Sequence, residues 1–157
     1  MRRKDREVTD VNEIMDILAQ CKTANIAMLD GDVPYIVPLS YGYDYKEGTL
    51  IFYFHSAKDG KKLELLKKNN NVSFSVFSEG EPLHAEIPCN SGYYYSSVLG
   101  KGTVEFVEEV DEKCHALGKM FEHQAGRIVE FTAAQAETVC VFRMVSKEFT
   151  GKRKPKK

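Results

Sequence analysis

The chain has 157 residues, a length that fits one domain with a core large enough to fold without a metal or a disulfide. Its formal net charge of −1 gives no bulk electrostatic reason for binding nucleic acid or an anionic membrane. No apolar run approaches the roughly 20 residues that a membrane-spanning helix needs. The segment Met1–Glu7 lacks the apolar core of a signal peptide, so we expect a cytoplasmic protein.

The four cysteines, Cys21, Cys89, Cys114 and Cys140, lie far apart in sequence and form no C-x-x-C pair. Reduced thiols are the expectation for such a set in a cytoplasmic protein. No two of these cysteines have the spacing of zinc ligands, so the sequence predicts no metal site.

The first third of the chain predicts a helix followed by three strands. Asp10 and Glu13 have the spacing of a capping box, and apolar residues at helical spacing then predict a helix from about Asp10 to Cys21. Pro38 has no N–H to donate, so its strand is expected at an edge or a bulge, or where another group lies against the backbone. The predicted antiparallel meander consists of Ala24–Leu29, Tyr35–Tyr43 and Thr49–Phe54, with turns at Asp30-Gly31-Asp32 and Lys46-Glu47-Gly48.

The third of these strands leads into a helix with an unusual charge pattern. The strand breaks at His55-Ser56, and a helix that opens with Gly60-Lys61-Lys62 runs to about Asn69. Ser56 and Asp59 have the S-x-x-D spacing of a helix N-terminus. Lysines in the first turn oppose the helix macrodipole, and a bound phosphate would offset this cost because helix N-terminal amides and lysines both attract it. Flexible surface lysines in water are the alternative interpretation.

The second half of the chain predicts further antiparallel strands and two helices. Gly100 and Gly102 lie in the longest strand, where they let it turn a barrel corner or let a ligand approach closely. The last strand is apolar on both faces and is expected to be central or at an interface. The basic segment 151–157 is expected to be a frayed, solvated tail that does not bind nucleic acid. The predicted elements are the strands Val72–Phe77, Tyr93–Val107 and Thr138–Phe149 and the helices Asp111–Gln124 and Thr132–Glu137.

These elements predict one mainly β domain over residues 1–150, in which six or more antiparallel strands close as a small barrel with added helices. Few residues could carry chemistry. His55, at a strand end, either contacts a planar cofactor or substrate or is an ordinary strand-end histidine. No nucleophile with an adjacent base, carboxylate pair or metal motif stands out, so the chemistry of an enzyme built on this chain would be that of a cofactor.

Five groups of residues follow one another along the chain: Met1-Arg2-Arg3-Lys4-Asp5-Arg6-Glu7, Pro34–Tyr43, Tyr53–Ala57 with Gly60-Lys61-Lys62, Tyr95–Val98 with Gly100-Lys101-Gly102, and Thr150-Gly151-Lys152. Each group alone is a weak signal. In this order and spacing they resemble the pyridoxamine 5'-phosphate oxidase-like, FMN-binding split-barrel superfamily, and within it the nitroimidazole-resistance branch. The resemblance covers most of the chain.

The resemblance implies a homodimer of split β-barrels with FMN bound at the subunit interface. Lys61 and Lys62 would hold the phosphate, and His55 would lie against the flavin as the candidate catalytic residue. The other implied cofactor contacts are Val37, Pro38, Leu39, Ser40, Tyr53 and Ser56, together with Ser96, Ser97 and Val98 from a neighbouring region or from the partner subunit.

The same resemblance favours an FMN-dependent reductase of a small acceptor, such as a nitroaromatic or nitroimidazole-like molecule. The chain lacks the arginine-rich phosphate contacts and the C-terminal substrate-binding segment of the vitamin B6 oxidases, so pyridoxamine phosphate oxidation is not expected. A non-catalytic flavin-binding or storage module is the alternative. A heme-binding relative of the same fold is a third hypothesis, and it would leave Lys61 and Lys62 without a role.

Overall fold

The structure, a computed structural model, describes residues 3–78 and 80–156. Within these residues, one eight-stranded antiparallel sheet is accompanied by a two-stranded ribbon and four helices. The strands are β1 (Glu7–Val8), β2 (Thr23–Asp30), β3 (Val33–Ser40), β4 (Gly42–Lys46), β5 (Thr49–Ser56), β6 (Asn71–Phe77), the ribbon strands β7 (Pro82–Leu83) and β8 (Gly92–Tyr93), β9 (Tyr95–Phe106) and β10 (Cys140–Lys154). The helices are α1 (Val11–Gln20), α2 (Lys61–Lys68), α3 (Val110–Ala125) and α4 (Ala133–Ala136), with short 3-10 turns at Lys4–Arg6 and Pro88–Asn90.

The main sheet has the strand order β3-β2-β6-β9-β10-β5-β4, and β1 pairs with the end of β10. The two end strands, β3 and β4, follow each other in the chain, so the sheet curls around one apolar core. β10 lies between β9 and β5, which confirms that the strand with two apolar faces is central. The predicted mainly β, antiparallel fold with added helices is confirmed.

The predicted meander of three strands is wrong, because the segment Tyr35–Tyr43 is divided at Tyr41. β3 pairs with β2, whereas β4 pairs with β5 at the other end of the sheet. The side chain of Tyr41 is fully buried at the bend, and its hydroxyl donates to the carbonyls of Leu18 (2.7 Å) and Cys21 (3.0 Å). The edge position predicted from Pro38 is confirmed, since β3 is an end strand.

Two of the predicted helix caps differ from the observed ones. Asp10 caps α1 by accepting from the amide of Asn12 (2.8 Å), as expected. Glu13 does not complete a capping box, because its carboxylate accepts from Arg153 of β10 (3.1 Å). Ser56 does not cap α2: the residue that precedes this helix is Gly60.

The C-terminal boundary of the fold also differs from the prediction. β10 does not stop at Phe149 but runs to Lys154, so the expected tail from residue 151 is in fact largely strand. The added residues pair with β9 on one side and with β1 on the other. A Cβ at Gly151 would lie 2.9 Å from the Cβ of Val8 and 3.0 Å from Cγ1 of Ile14, so the missing side chain lets β1 and α1 pack closely.

The glycines of β9 lie where the strand packs closely against other residues. A Cβ at Gly100 would lie 2.6 Å from the ring of Phe74, and one at Gly102 would lie 2.6 Å from Cγ of Met144. Both contacts are with core side chains. β9 and β10 change register nearby, between Val145 and Glu148. The space at these glycines is therefore filled by the core rather than left for a ligand.

Two apolar clusters decide which faces of the sheet remain open. The inner face packs on α1 and α2, and the outer face of β4, β5 and β10 is covered by α3. The outer face of β3, β2, β6 and β9 has no helix packed on it among the described residues. We call this the open face. It exposes apolar side chains of Leu29 (51%), Ile36 (59%), Phe77 (57%) and Leu99 (47%).

The corner at Tyr41 is tied to the end of α3 by hydrogen bonds. His123 Nε2–H donates to the carbonyl of Cys21 (2.8 Å), and its ring centroid lies 4.6 Å from that of Tyr41. Gln124 Nε2 donates to the carbonyls of Tyr41 (2.8 Å) and Lys22 (2.9 Å). These bonds fix α3 against the connection between α1 and β2.

Acidification is expected to weaken the fold through His123. Burial lowers the pKa of His123; its hydrogen bond to Cys21 acts in the opposite sense, and the charge of Lys22 lowers the pKa further. Because the folded pKa lies below the unfolded value of about 6.5, this stabilisation is complete above about pH 6.5 and is lost as pH falls through the folded pKa. The variant His123→Gln keeps an N–H donor. In urea denaturation at about pH 8 and about pH 5, its free energy of unfolding should fall less than that of the wild type. Equal falls would contradict this role.

Candidate functional site

The N-terminus of α2 has no side-chain cap. Gly60 precedes the helix with φ of 122°, a conformation that favours glycine, and no side chain accepts from the first-turn amides. The hydroxyl of Ser56 donates instead to the carbonyl of Ala57 (2.8 Å). Free N–H groups at a helix N-terminus bind phosphate or carboxylate groups readily.

Lys61 and Lys62 occupy the first turn of α2 but have different surroundings. Lys61 forms an ion pair with Asp30 at the end of β2, and its Nζ lies 4.9 Å from the ring centroid of Tyr35. The hydrogen bond and charge of Asp30 raise the pKa of Lys61. This ion pair holds the start of α2 against the β2–β3 hairpin. If Lys61 binds an anion, its ammonium group would either contact both the anion and Asp30 or leave Asp30. The sequence indicated Asp30 only as a turn residue, because its partner is set by tertiary packing.

His55 and Ser56 are adjacent in sequence but lie on opposite faces of β5. Ser56 is buried on the inner face, where its register partner is Cys140. His55 is exposed on the face that carries α3, and its partner is Val141. Burial of part of the ring, followed by the charge of Lys62, lowers the pKa of His55. The lowered pKa favours the neutral form of the His55 imidazole.

Tyr53 shares the face of His55 but is engaged elsewhere. It is 7% exposed and packs in the cluster beneath α3. Its hydroxyl donates to Oδ2 of Asp44 (3.1 Å), and the same carboxylate accepts from Lys119 through Oδ1 (3.0 Å). Burial, followed by the charge of Asp44, raises the pKa of Tyr53. The Tyr53 side chain therefore links β5 to β4 and α3, and it does not point toward α2.

The predicted segment Val37–Ser40 lies along β3, whose outer edge pairs with no other described strand. Val37 and Leu39 pack against the core, whereas Pro38 and Ser40 are exposed on the open face. Lys61 lies over Tyr35 of the same strand, so the α2 N-terminus stands near the start of β3. From Tyr35 to Ser40 the strand extends about 17 Å at ~3.3 Å per residue. The helix end and the free strand edge thus form one extended surface.

Ser96, Ser97 and Val98 are not brought to this surface within one chain. Val98 is fully buried in the core, and Ser96 is buried with its Oγ 3.2 Å from Oγ of Ser78. Ser97 lies on the open face, opposite Phe77 in the register. It is separated from Ser40 by three strand spacings, or roughly 14 Å at ~4.8 Å per spacing.

In the described ranges 3–78 and 80–156, no group of three or more His, Cys, Asp or Glu side chains is arranged to hold a metal ion. None of the helices in these ranges is long and apolar enough to cross a membrane.

A curled antiparallel sheet that is open between β3 and β4 defines a split barrel. A family model described as pyridoxamine 5'-phosphate oxidase matches residues 10–153, and the chain belongs to this family. The family named from sequence motifs is thus confirmed. No match was found among curated proteins.

Several solved structures have a similar fold. The crystal structure of a candidate 5-nitroimidazole antibiotic resistance protein from Bacteroides thetaiotaomicron VPI-5482 is 28% identical, with a TM-score of 0.79 over 93% of this chain and 85% of that one. The FAD and heme binding protein from Mycobacterium smegmatis is 16% identical, with a TM-score of 0.80 over 96% of this chain and 74% of that one. The flavocytochrome Anf3 from Azotobacter vinelandii is 18% identical, with a TM-score of 0.79 over 99% and 72%. The last two show the fold alone.

Proposed function

We propose that the protein binds FMN and reduces a small flat acceptor, with nitroaromatic or nitroimidazole-like molecules as the leading class. The observation that carries this proposal is the uncapped, lysine-bearing N-terminus of α2 beside the free edge of β3. A phosphate at that helix end satisfies the amides and removes the conflict between Lys61, Lys62 and the macrodipole. The acceptor class rests on the 28% identical relative, which is described as a 5-nitroimidazole resistance protein.

The described residues fit a flavin mononucleotide that lies along β3. Its phosphate would be held by the first-turn amides of α2 and by Lys62, with Lys61 sharing Asp30. The ribityl chain and ring would follow the edge of β3. This strand offers the cofactor backbone groups of Val37 and Leu39 and the exposed side chains of Pro38 and Ser40. Bound FMN would supply the electron-transfer chemistry.

We assign to His55 the role of acting on protons near that cofactor, as the family resemblance implies. Its pKa is lowered by burial and by Lys62, so at pH 7 the ring has one donor and one acceptor nitrogen. A neutral imidazole can orient an acceptor or pass a proton to it without adding positive charge. Lys62 supplies the charge that the phosphate requires.

We also propose that two copies of the chain pack through their open faces. Leu29, Ile36, Phe77 and Leu99 form an exposed apolar group there, and homodimer interfaces are more apolar than other protein surfaces. Ser97 lies on the same face and would reach the cofactor of the partner subunit. The buried side chain of Val98 leaves only backbone groups of that residue for such a contact.

Removal of Lys62 is expected to weaken FMN binding. In a fluorescence titration, Lys62→Ala should raise the dissociation constant for FMN at least about 10-fold, because a charge-assisted contact with phosphate is lost. Lys68→Ala removes a lysine from the other end of the same helix and should change the constant less than about twofold. Equal effects of the two variants would contradict the phosphate site.

The visible spectrum of the purified protein tests the proposal as a whole. Flavin absorption, or uptake of added FMN with such absorption, supports it. A colourless protein that does not take up FMN would overturn it, and a Soret band would indicate heme instead. Anaerobic bleaching of the flavin by a reduced nicotinamide and reoxidation by a nitroimidazole would distinguish a reductase from a flavin-storage module.

A further inference from the structure

A second cationic and aromatic surface lies at the end of the open face, away from α2. Three segments that are distant in sequence meet there: the 3-10 turn Lys4–Arg6, the start of β9 and the end of β10. Nη1 of Arg6 lies 3.5 Å from the hydroxyl of Tyr95. Nζ of Lys152 lies 5.6 Å from the ring centroid of Tyr95, and Nζ of Lys154 lies 5.9 Å from that of Tyr94. We call Arg6, Tyr95, Lys152 and Lys154 the rim cluster.

Among the described residues, Lys152 and Lys154 form no ion pair, and Arg6 has only a long one. Arg6 lies 3.8 Å from Asp5, but that carboxylate is bound by Arg3 at 2.6 Å. Glu7 faces Lys152 in the strand register, yet no ion pair joins the two among the described residues. The other cations of this region are paired elsewhere, Arg153 with Glu13 and Lys156 with Glu81.

The geometry also leaves room for a ligand. A depression of about 420 Å³ beside the cluster is lined by Tyr94, Tyr95 and Lys154, and also by Asp16 and Glu81. Arg6 and Lys152 do not line it themselves but adjoin it through Tyr95. Partial burial raises the pKa of Tyr95, but hydrogen bonding and charge from Arg6 and Lys152 outweigh it and leave the pKa below its ordinary value. The same two cations that favour a phenolate here would favour the oxygen of a bound anion.

We propose that the rim cluster binds the oxyanion, phosphate or carboxylate, of the second substrate of the reductase. The location supports a role in that reaction, because Lys152 is the register partner of Ser97. In the proposed dimer Ser97 reaches the cofactor of the partner subunit, so a ligand on Lys152 would lie beside that cofactor. This inference rests on the proposed function. The phosphate would belong to a nicotinamide dinucleotide donor, and the carboxylate to an acidic aromatic acceptor.

Direct binding of small anions tests the cluster without any flavin. In calorimetric titrations of the purified protein with pyrophosphate and, separately, with benzoate, Lys152→Gln and Arg6→Gln should each weaken binding roughly 10-fold. Lys147→Gln removes an exposed lysine from the same strand and should leave both affinities within about twofold of the wild type. Thermal unfolding of each variant checks that the fold is retained.

Kinetics then separate the two sources of the anion. If Lys152→Gln and Arg6→Gln raise KM for NADPH roughly 10-fold and leave KM for an uncharged nitroimidazole unchanged, the cluster binds the electron donor. A rise confined to KM for nitrobenzoate assigns it to the acceptor. Unchanged anion affinity in both Lys152→Gln and Arg6→Gln overturns the inference even if the protein binds FMN. Absence of FMN binding with intact anion binding overturns the proposed function and leaves an anion site.

Discussion

Leu99→Lys is expected to convert the proposed dimer into monomers and to reduce FMN binding at the same time. Leu99 is 47% exposed in the single chain, on the β9 strand of the open face, with Ser75 opposite it in the register. A charged lysine buried between two apolar faces has no partner, and its desolvation is costly. The dimer dissociation constant should rise at least about 100-fold, which corresponds to about 2.7 kcal/mol. Analytical ultracentrifugation measures this change directly.

The loss of FMN affinity is the more informative half of this result. If Ser97 of one subunit completes the cofactor site of the other, monomers retain only the contacts of α2 and β3. Ile128→Lys is a matched control, because Ile128 is 88% exposed and follows α3, which packs on β4, β5 and β10 rather than on the strands of the open face. That variant should leave both the molecular mass in solution, which reports the dimer, and the FMN affinity unchanged. A monomeric wild-type protein that binds FMN tightly would contradict the shared site.

Gly42→Ala is expected to destabilise the fold by about 3 kcal/mol, the upper end of the usual range for overpacking. A Cβ at Gly42 would lie 2.4 Å from the backbone N of Met120 and 2.5 Å from the backbone C of Lys119. These atoms belong to the backbone of α3 and cannot move aside as a flexible side chain can. The helix would have to lift from β4, which would open the cluster that holds Tyr53. Urea denaturation measures the change.

Gly118→Ala provides the control within α3. A Cβ at Gly118 would meet no atom closer than the carbonyl oxygen of Val129 at 3.4 Å, an ordinary contact. Alanine in a helix interior is favoured over glycine by up to about 1 kcal/mol, so this variant should be neutral or more stable. Comparable losses in Gly42→Ala and Gly118→Ala would show that the close approach of β4 and α3 does not limit stability.

Local sequence patterns predicted several elements because their causes are local. The turn at Asp30-Gly31-Asp32, the cap at Asp10 and the helix capped by Thr132 all depend on residues within a few positions of one another. The edge position of Pro38 follows from one missing N–H. The same local chemistry indicated α2 as an anion site, since two lysines follow a glycine at a helix start.

Long-range packing decided the features that the patterns missed. The division of Tyr35–Tyr43 depends on carbonyls of α1 that accept from Tyr41, and these lie about twenty residues earlier in the chain. The capping box at Glu13 failed because Arg153, at the other end of the chain, offers a charged partner. A basic C-terminal segment became strand because β1 and β9 supplied hydrogen-bonding edges on both sides.

The sequence by itself determined a mainly β chain with a helix that starts with two lysines, and its ordered motifs identified the pyridoxamine 5'-phosphate oxidase family. Only the tertiary structure decided how the candidate site residues are divided. It placed the start of α2 beside Tyr35, in the strand that carries Val37–Ser40, and Ser97 roughly 14 Å from Ser40 on the open face. The physical reason is that periodicity tells which face of a strand a residue occupies, whereas strand order sets which residues on that face are neighbours. Strand order depends on contacts between segments that are distant in sequence.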